Sequence, residues 1–228
     1  MKGGRQMKRE FNIKEFLMKY SFVIIIILVF VYFSLVTDNF CTFGNIISML
    51  HTAAPNFVFA AGAALIIVTG KVDLSIGSVM YLSTAVFTVL VVNMNVNPVL
   101  AALAALAAGM GIGLINGLLV VVLKVTPMIA TMGTMIAVRG IARTVSGGMP
   151  LSLPENIRAI GSFKVGPIFL DIIIALIVLL AIFVIHSRTK FGRLVTAIGN
   201  DEKIAVKLGI NVPKVVLLDF VLSAVLAA

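Results

Sequence analysis

Apolar runs of membrane length alternate with short polar interruptions along nearly all of the 228 residues. A helix that crosses a bilayer needs about 20 predominantly apolar residues. By that measure spans are predicted over 20–36, 53–69, 75–92, 99–123, 127–145 and 167–186. A seventh run opens at Lys214 and reaches Ala228. Its ~15 residues make roughly 22 Å of helix, short of a hydrocarbon core of about 30 Å, so a seventh span is expected to be cut by the end of the chain. The predicted fold class is all-α: a polytopic membrane helix bundle of six complete spans and the start of a seventh. It divides into a basic segment over 1–19 and a membrane domain over 20–228.

Charge orients the bundle. Lys2, Arg5, Lys8, Arg9, Lys14 and Lys19 precede the first span, which places the N-terminus in the cytoplasm. Alternation then puts Lys71, Lys124 and the cations of the 187–214 loop (Arg188, Lys190, Arg193, Lys203, Lys207 and Lys214) on the same side. The opposite side receives only Arg158 and Lys164. The links over 70–74 and 124–126 are short enough for a tight turn or a re-entrant arrangement.

Composition agrees with a membrane chain: 61% of residues are hydrophobic and 12% charged, about half the charge of a soluble domain. The net charge of +9 lies between apolar runs and lacks interleaved aromatics, so a nucleic-acid partner is set aside. The single cysteine, Cys41, excludes an intrachain disulfide. The first run ends in Val36, Thr37, Asp38 and Asn39 rather than a small-x-small cleavage site, so it reads as a retained span and not a signal peptide.

Polar groups inside this apolar background are the candidates for function. The segment GKVDLSIGS, residues 70–78, sets Asp73, Ser75 and Ser78 at a helix start. Such groups are costly in hydrocarbon unless buried in protein or wetted, so they are expected to face a polar path. On the fourth span Ala101, Ala105, Gly109, Gly113 and Gly117 recur every four residues, one face on which another backbone can approach closely, with Asn116 beside it. Simple helix packing is the favoured reading of that ladder. In the 187–214 loop, Asn200 is read as a helix cap, with Asp201 and Glu202 in the first turn, Lys207 in the last and Gly209 as a left-handed stop. Ile204, Ala205 and Leu208 form its apolar face. A helix of about eight residues is unstable alone in water. It must dock on its own membrane domain, on the bilayer surface or on a partner.

Three motifs in order, GKVDLSIGS, PMIATMGTMIAVRG (127–140) followed by Gly147 and Gly148, and FGRLVTAIGNDEKIAVKLGINV (191–212), resemble the permease subunits of bacterial ABC importers for monosaccharides, the ribose-type permeases above all. The resemblance covers the second span to the end of the chain. It implies a multi-pass protein of the bacterial cytoplasmic membrane that forms the pore of an importer. The implied partners are ABC ATPase subunits, a second permease copy or sister permease, an extracytoplasmic sugar-binding protein and membrane lipid. The chain itself would bind no cofactor; ATP and Mg would be used by the partner subunits. The resemblance further implies that the helix after Asn200 is the element seated in the ATPase, with Gly199, Asn200, Glu202, Ala205, Leu208 and Gly209 as coupling residues inside the 187–213 loop. Asp73, Ser75, Ser78, Asn116 and Arg139 are the candidate pathway or gating residues.

That division of labour suits the remaining sequence. No GxxxxGK[ST] phosphate loop occurs, and His51 and His186 lie far apart without metal-ligand spacing. Arg139 and Arg143 share a face near the outer end of the fifth span, and the Arg139-Gly140 pair within the resemblance favours a buried role for Arg139. Asp171, one turn into the sixth span, reads as interfacial. Lys71 and Asp219 depart from the family pattern, which has glycine and an apolar residue there, and Asp219 is expected to face water at the cytoplasmic boundary. Two other readings stay open: a secondary transporter driven by an ion gradient, for which Asp73 is the candidate acid, and a membrane assembly subunit without transport.

Overall fold

The computed structural model describes residues 13–149 and 152–228, and the side chains of the first few of these are left aside. Most of the basic 1–19 segment therefore lies outside the described residues. The chain separates into two units, Met1–Met49 and Leu50–Ala228.

In the first unit, α1 (Ile13–Val36), strongly apolar from Tyr20 onward, is followed by a tight turn into the first residues of α2 (Phe43–Val68). Phe30 and Phe40 meet edge to face at 5.3 Å, and Phe33 stacks on Phe40 at 5.9 Å. Ser34 Oγ and Cys41 Sγ lie 3.0 Å apart.

The second unit is a helical bundle. It holds the rest of α2 together with α3 (Ile76–Val92), α4 (Pro98–Val121), α5 (Pro127–Val145), α6 (Glu155–Gly161), α7 (Leu170–Arg188), α8 (Lys190–Asn200), α9 (Glu202–Lys207) and α10 (Val212–Ala227). Prolines open α4 and α5, where the missing N–H would be unpaired in any case. Asn97 caps α4 by accepting from Val99 N at 2.8 Å, and Asn211 caps α10 by accepting from Lys214 N at 3.1 Å. The core is α3, α4 and α10, with α5 against α3 and α10 most extensively against α4.

The fold is helical, as expected, apart from two strands of two residues, β1 (Lys164–Val165) and β2 (Ile168–Phe169), that form an antiparallel hairpin ahead of α7. Several finer expectations change. Among the described residues four helices are long and apolar enough to cross a membrane: the apolar part of α1 from Leu17, α2, α4 and α7. α3 has 17 residues and α10 has 16, while α5 carries Arg139 and Arg143 among its apolar positions. α2 starts at Phe43, ten residues before the predicted span. The 187–214 loop contains two helices, not one, and the cap of the second is Asp201 rather than Asn200, which is the last residue of α8.

Candidate functional site

α8 and α9 form an elbow at one end of the bundle. Thr189 Oγ1 accepts from Gly192 N at 3.3 Å to start α8, and the Asp201 carboxylate accepts from Ile204 N at 3.0 Å to start α9. Val195 and Ile198 of α8 enter a core with Ile66 of α2 and Val215, Val216 and Phe220 of α10. Two glycines allow that approach: a Cβ on Gly192 would collide with the His186 carbonyl, and one on Gly199 with the Val68 carbonyl. Gly199 thus serves close packing within the chain. α9 is anchored differently. Ala205 is buried, whereas Ile204, Val206 and Leu208 stay open, Leu208 at 73%. Asn200, Glu202 and Gly209 are exposed beside them, and Gly209, at φ +77°, turns the chain toward α10. α9 is held by Ala205 and by a bond from Lys71 Nζ to Glu202 Oε2 at 2.9 Å, and it leaves Ile204 and Leu208, four apart on one face, open to the outside.

The GKVDLSIGS segment forms a polar knot in which the buried Ser78 Oγ and Asn116 Oδ1 lack a hydrogen-bond partner. Asp73 Oδ1 accepts from Ser75 N at 2.7 Å and from Ser75 Oγ at 2.6 Å. Asn116 Nδ2 in turn donates to Ser75 Oγ at 2.7 Å, and Leu74 N donates to Thr131 Oγ1 at 3.1 Å, tying α3 to α4 and α5. Burial pushes the Asp73 carboxyl above its ordinary value, and the two bonds from Ser75 offset part of that rise. Ser75, Ser78 and Asn116 are fully buried inside the bundle, and they line neither of the two cavities described below.

The small-residue face of α4 receives α10. A Cβ on Gly113 would lie 2.6 Å from Ala224 Cβ and 2.7 Å from the Phe220 carbonyl, and one on Gly117 would lie 2.6 Å from Leu217 Cδ1. Gly109 faces Ala224 and Ala228, and Ala101 and Ala105 are buried on the same stripe.

Two residues sit elsewhere than expected. Arg139 is exposed, not buried, because α5 turns Thr131, Val138 and Ala142 inward and the guanidinium leaves the neighbouring face. Asp219 does not face water. It is 1% exposed on the inward face of α10 with Val216, Phe220 and Ser223, the same face that packs on the bundle.

Sequence reading missed three arrangements. His51 Nδ1 and Asp171 Oδ2 meet at 2.7 Å, with Phe169 stacked 4.0 Å from His51 and Lys164 Nζ 4.3 Å from the Phe169 ring, so hairpin, α2 and the start of α7 are joined. Their 120-residue separation left no local signal. A cavity of about 350 Å³ lies between α3 and the end of α5, lined by Tyr81, Thr84, Thr88, Ser146, Gly148 and Met149 among others. Thr84 and Thr88 donate to the Met80 and Thr84 carbonyls at 2.8 Å, so their lone pairs remain as acceptors. A second cavity, about 530 Å³, lies beneath α9 and includes Lys71, Lys124, Glu202, Val206 and Val216. A period-of-four hydroxyl stripe (Thr84, Thr88) was the available clue to the first. Among the described residues no group of three or more His, Cys, Asp or Glu side chains is placed to hold a metal.

A family model described as "Branched-chain amino acid transport system / permease component" matches residues 45–228. The ribose import permease protein RbsC of Escherichia coli strain K12 is 31% identical over 229 residues, covering 96% of this chain and 70% of that protein. RbsC of Bacillus subtilis strain 168 is 35% identical over 211 residues, covering 91% of this chain and 63% of that protein. The galactose/methyl galactoside import permease protein MglC of Escherichia coli strain K12 is 32% identical over 242 residues, covering 95% and 71%. No solved structure gives a significant match.

Proposed function

The chain belongs to the family of permease components of bacterial transport systems, and on that premise we propose that it forms the pathway of an ATP-driven importer for a monosaccharide, a ribose-like sugar first. As a permease subunit it is a multi-pass protein of the bacterial cytoplasmic membrane and a transport component rather than an enzyme. The relatives' names point to sugars although the family description speaks of amino acids. The cavity between α3 and α5 supports the sugar: its lining offers tyrosine, threonine and serine hydroxyls and no charged residue, which suits a neutral polyol and leaves a zwitterion unpaired.

The observation that carries the proposal is the uncovered apolar face of Ile204 and Leu208 on an α9 anchored through Ala205. Separate ATPase subunits, using ATP and Mg, would grip that face, and Glu202 and Gly209 would set its ends. Six spans with the N-terminal 1–19 segment in the cytoplasm, and a 20–228 membrane domain with its 187–213 loop on the ATPase side, complete the arrangement. A binding protein would deliver sugar on the far side, and a second permease copy or sister subunit would close the pore. Asp73, Ser75, Ser78 and Asn116 then hold α3 to α4 at the ATPase end and act on gating through helix position. Arg139 is left to the lipid headgroups or the neighbouring permease.

The test is a cysteine at Leu208 in the assembled transporter. Crosslinks to the ATPase, together with loss of uptake but not of ATP hydrolysis in Ala205→Phe, are expected. Crosslinks to lipid or to the same chain alone, with coupled uptake in Ala205→Phe, refute it. Buried Asp219 gives an ion-coupled transporter its one observation in favour; uptake that collapses with membrane potential while ATP is maintained would select that reading.

A further inference from the structure

The cavity of about 530 Å³ beneath α9 is walled by the end of α4, the starts of α5 and α10, the link after α2, and α9 itself. Its lining divides by chemistry. Six valines and two prolines make up most of it, while Lys71, Lys124, Thr126 and Glu202 supply the polar side chains. Lys71 is already engaged: its Nζ donates to Glu202 Oε2 at 2.9 Å, and its side chain is only 12% exposed. Lys124 is exposed and belongs to no ion pair among the described residues. Two ammonium groups against one carboxylate leave the cavity with one formal positive charge uncompensated. Thr126, the N-cap of α5, makes no side-chain capping bond and keeps its hydroxyl for another partner. Lys124 also holds φ at +53°, a left-handed backbone that glycine would adopt without strain. A strained cation lining a cavity is an outlier that points to use rather than to packing. The surface on either side of it is apolar: Val122 and Leu123 before it, and Met128 and Ile129 after it, are each more than half exposed. In a chain that spans the membrane, these residues meet acyl chains.

We propose that this cavity is a binding site for an anionic phospholipid, with the phosphate on Lys124 and the acyl chains leaving over the apolar surface beside it. A phosphodiester carries one negative charge, which matches the one uncompensated cation. Basic pockets between helices at the membrane boundary hold acidic headgroups in this way. The walls decide between the sources of phosphate. A small soluble ester, such as a sugar phosphate, would set its hydroxyls against valine and proline and leave them unpaired. A lipid presents methylenes there instead, and their burial is favourable. A zwitterionic lipid would bring its own cation to a lining that already has one in excess. The bound lipid fills the space between Val206 of α9 and Val216 of α10, so α9 rests on it as well as on Ala205. The site goes beyond the transport function proposed above and requires only that the bundle lies in a membrane.

The experiment uses the transporter assembled with its partner subunits, equilibrated in detergent micelles doped with phosphatidylglycerol or phosphatidylcholine. Native mass spectrometry counts the lipid retained per permease chain. One phosphatidylglycerol is expected to stay bound at concentrations where phosphatidylcholine is lost. A lysine near the membrane surface contributes about fivefold to the binding of an acidic lipid. Lys124→Gln should therefore weaken retention about fivefold, and Lys124→Arg should keep it. Lys190→Gln removes an exposed cation outside the cavity and should retain lipid as wild type does. Lys124→Gly guards against a folding defect, because it eases the backbone at φ +53° and should still lose the lipid. Equal retention of the two lipids, or wild-type retention in both Lys124→Gln and Lys124→Gly, overturns the proposal. So does an equal loss in Lys190→Gln, which would mean surface charge without a site. Glycerol phosphate, the headgroup without acyl chains, tests the source: if it displaces phosphatidylglycerol at equal concentration, the site takes a soluble phosphate and the lipid assignment is wrong.

Discussion

Alanine at Gly113 tests how α10 is held. An ordinary carbon–carbon contact is about 3.5–4.0 Å. The new methyl would lie 2.6 Å from Ala224 Cβ, 2.7 Å from the Phe220 carbonyl and 3.0 Å from Val221 Cα. Two of these are backbone atoms, so rotamer change gives no relief and α10 must retreat by roughly 1 Å, enough to forfeit a quarter to a half of each dispersion contact. Phe220, Val216 and Ala224, all within 1% of full burial, lie on the helix that moves. Overpacking of this kind costs about 1–3 kcal/mol, against a gain of about 0.8–1 kcal/mol for alanine over glycine in a helix. Gly111 supplies the control, because its added Cβ meets nothing within 4 Å. The two variants share the propensity gain and differ only in the clash. At about 2–4 °C per kcal/mol for a chain of this size, Gly113→Ala should melt about 2–12 °C below Gly111→Ala in the same detergent. Sugar uptake should fall in the first and persist in the second. Equal melting temperatures, or a more stable Gly113→Ala, would refute the close approach of the two backbones.

At Asp73, Oδ1 accepts both bonds from Ser75, so Asn can replace it without losing either. Asp73→Asn should match or exceed wild-type stability near neutral pH, since burial disfavours the charged form, whereas Asp73→Ala should lose about 1–2 kcal/mol by leaving Ser75 unpaired; thermal unfolding reads the contrast. The linkage has a definite sign: a carboxyl raised in the fold costs stability as pH climbs through 3.8 and beyond, so Asp73→Asn should flatten that slope. In the hydroxyl-lined cavity, Thr84→Val/Thr88→Val removes two acceptors at nearly constant volume. At about 0.5–1.5 kcal/mol per hydrogen bond, uptake at low sugar concentration should drop about tenfold with little change in melting temperature.

Long apolar runs were legible because they need only length and composition. The run over 75–92 differs from α3 by one residue, and the run over 127–145 coincides with α5. The first ten residues of α2 were not, because Asn45, Ser48, His51 and Thr52 break the hydropathy of a helix that continues through them. α8 was hidden for another reason. Gly192 and Gly199, read locally, are loop residues, but they face the His186 and Val68 carbonyls and are small because the backbones touch. The cap of α9 moved by one residue because Asn200 and Asp201 are both good caps, and the extended φ of −162° at Asp201 decides which one ends α8. Asp219 lay too near Lys214 for charge alone to reveal an inward side chain. The His51–Asp171 pair and the Lys71–Glu202 pair are products of tertiary packing, which no window along the chain can see.

The open face of Ile204 and Leu208 has a consequence before any sugar moves. Until something covers it, a newly inserted copy carries an apolar patch open to association with the wrong partner. Synthesis in excess of its companions then ends in clumping or degradation, so supply of the subunits must be matched.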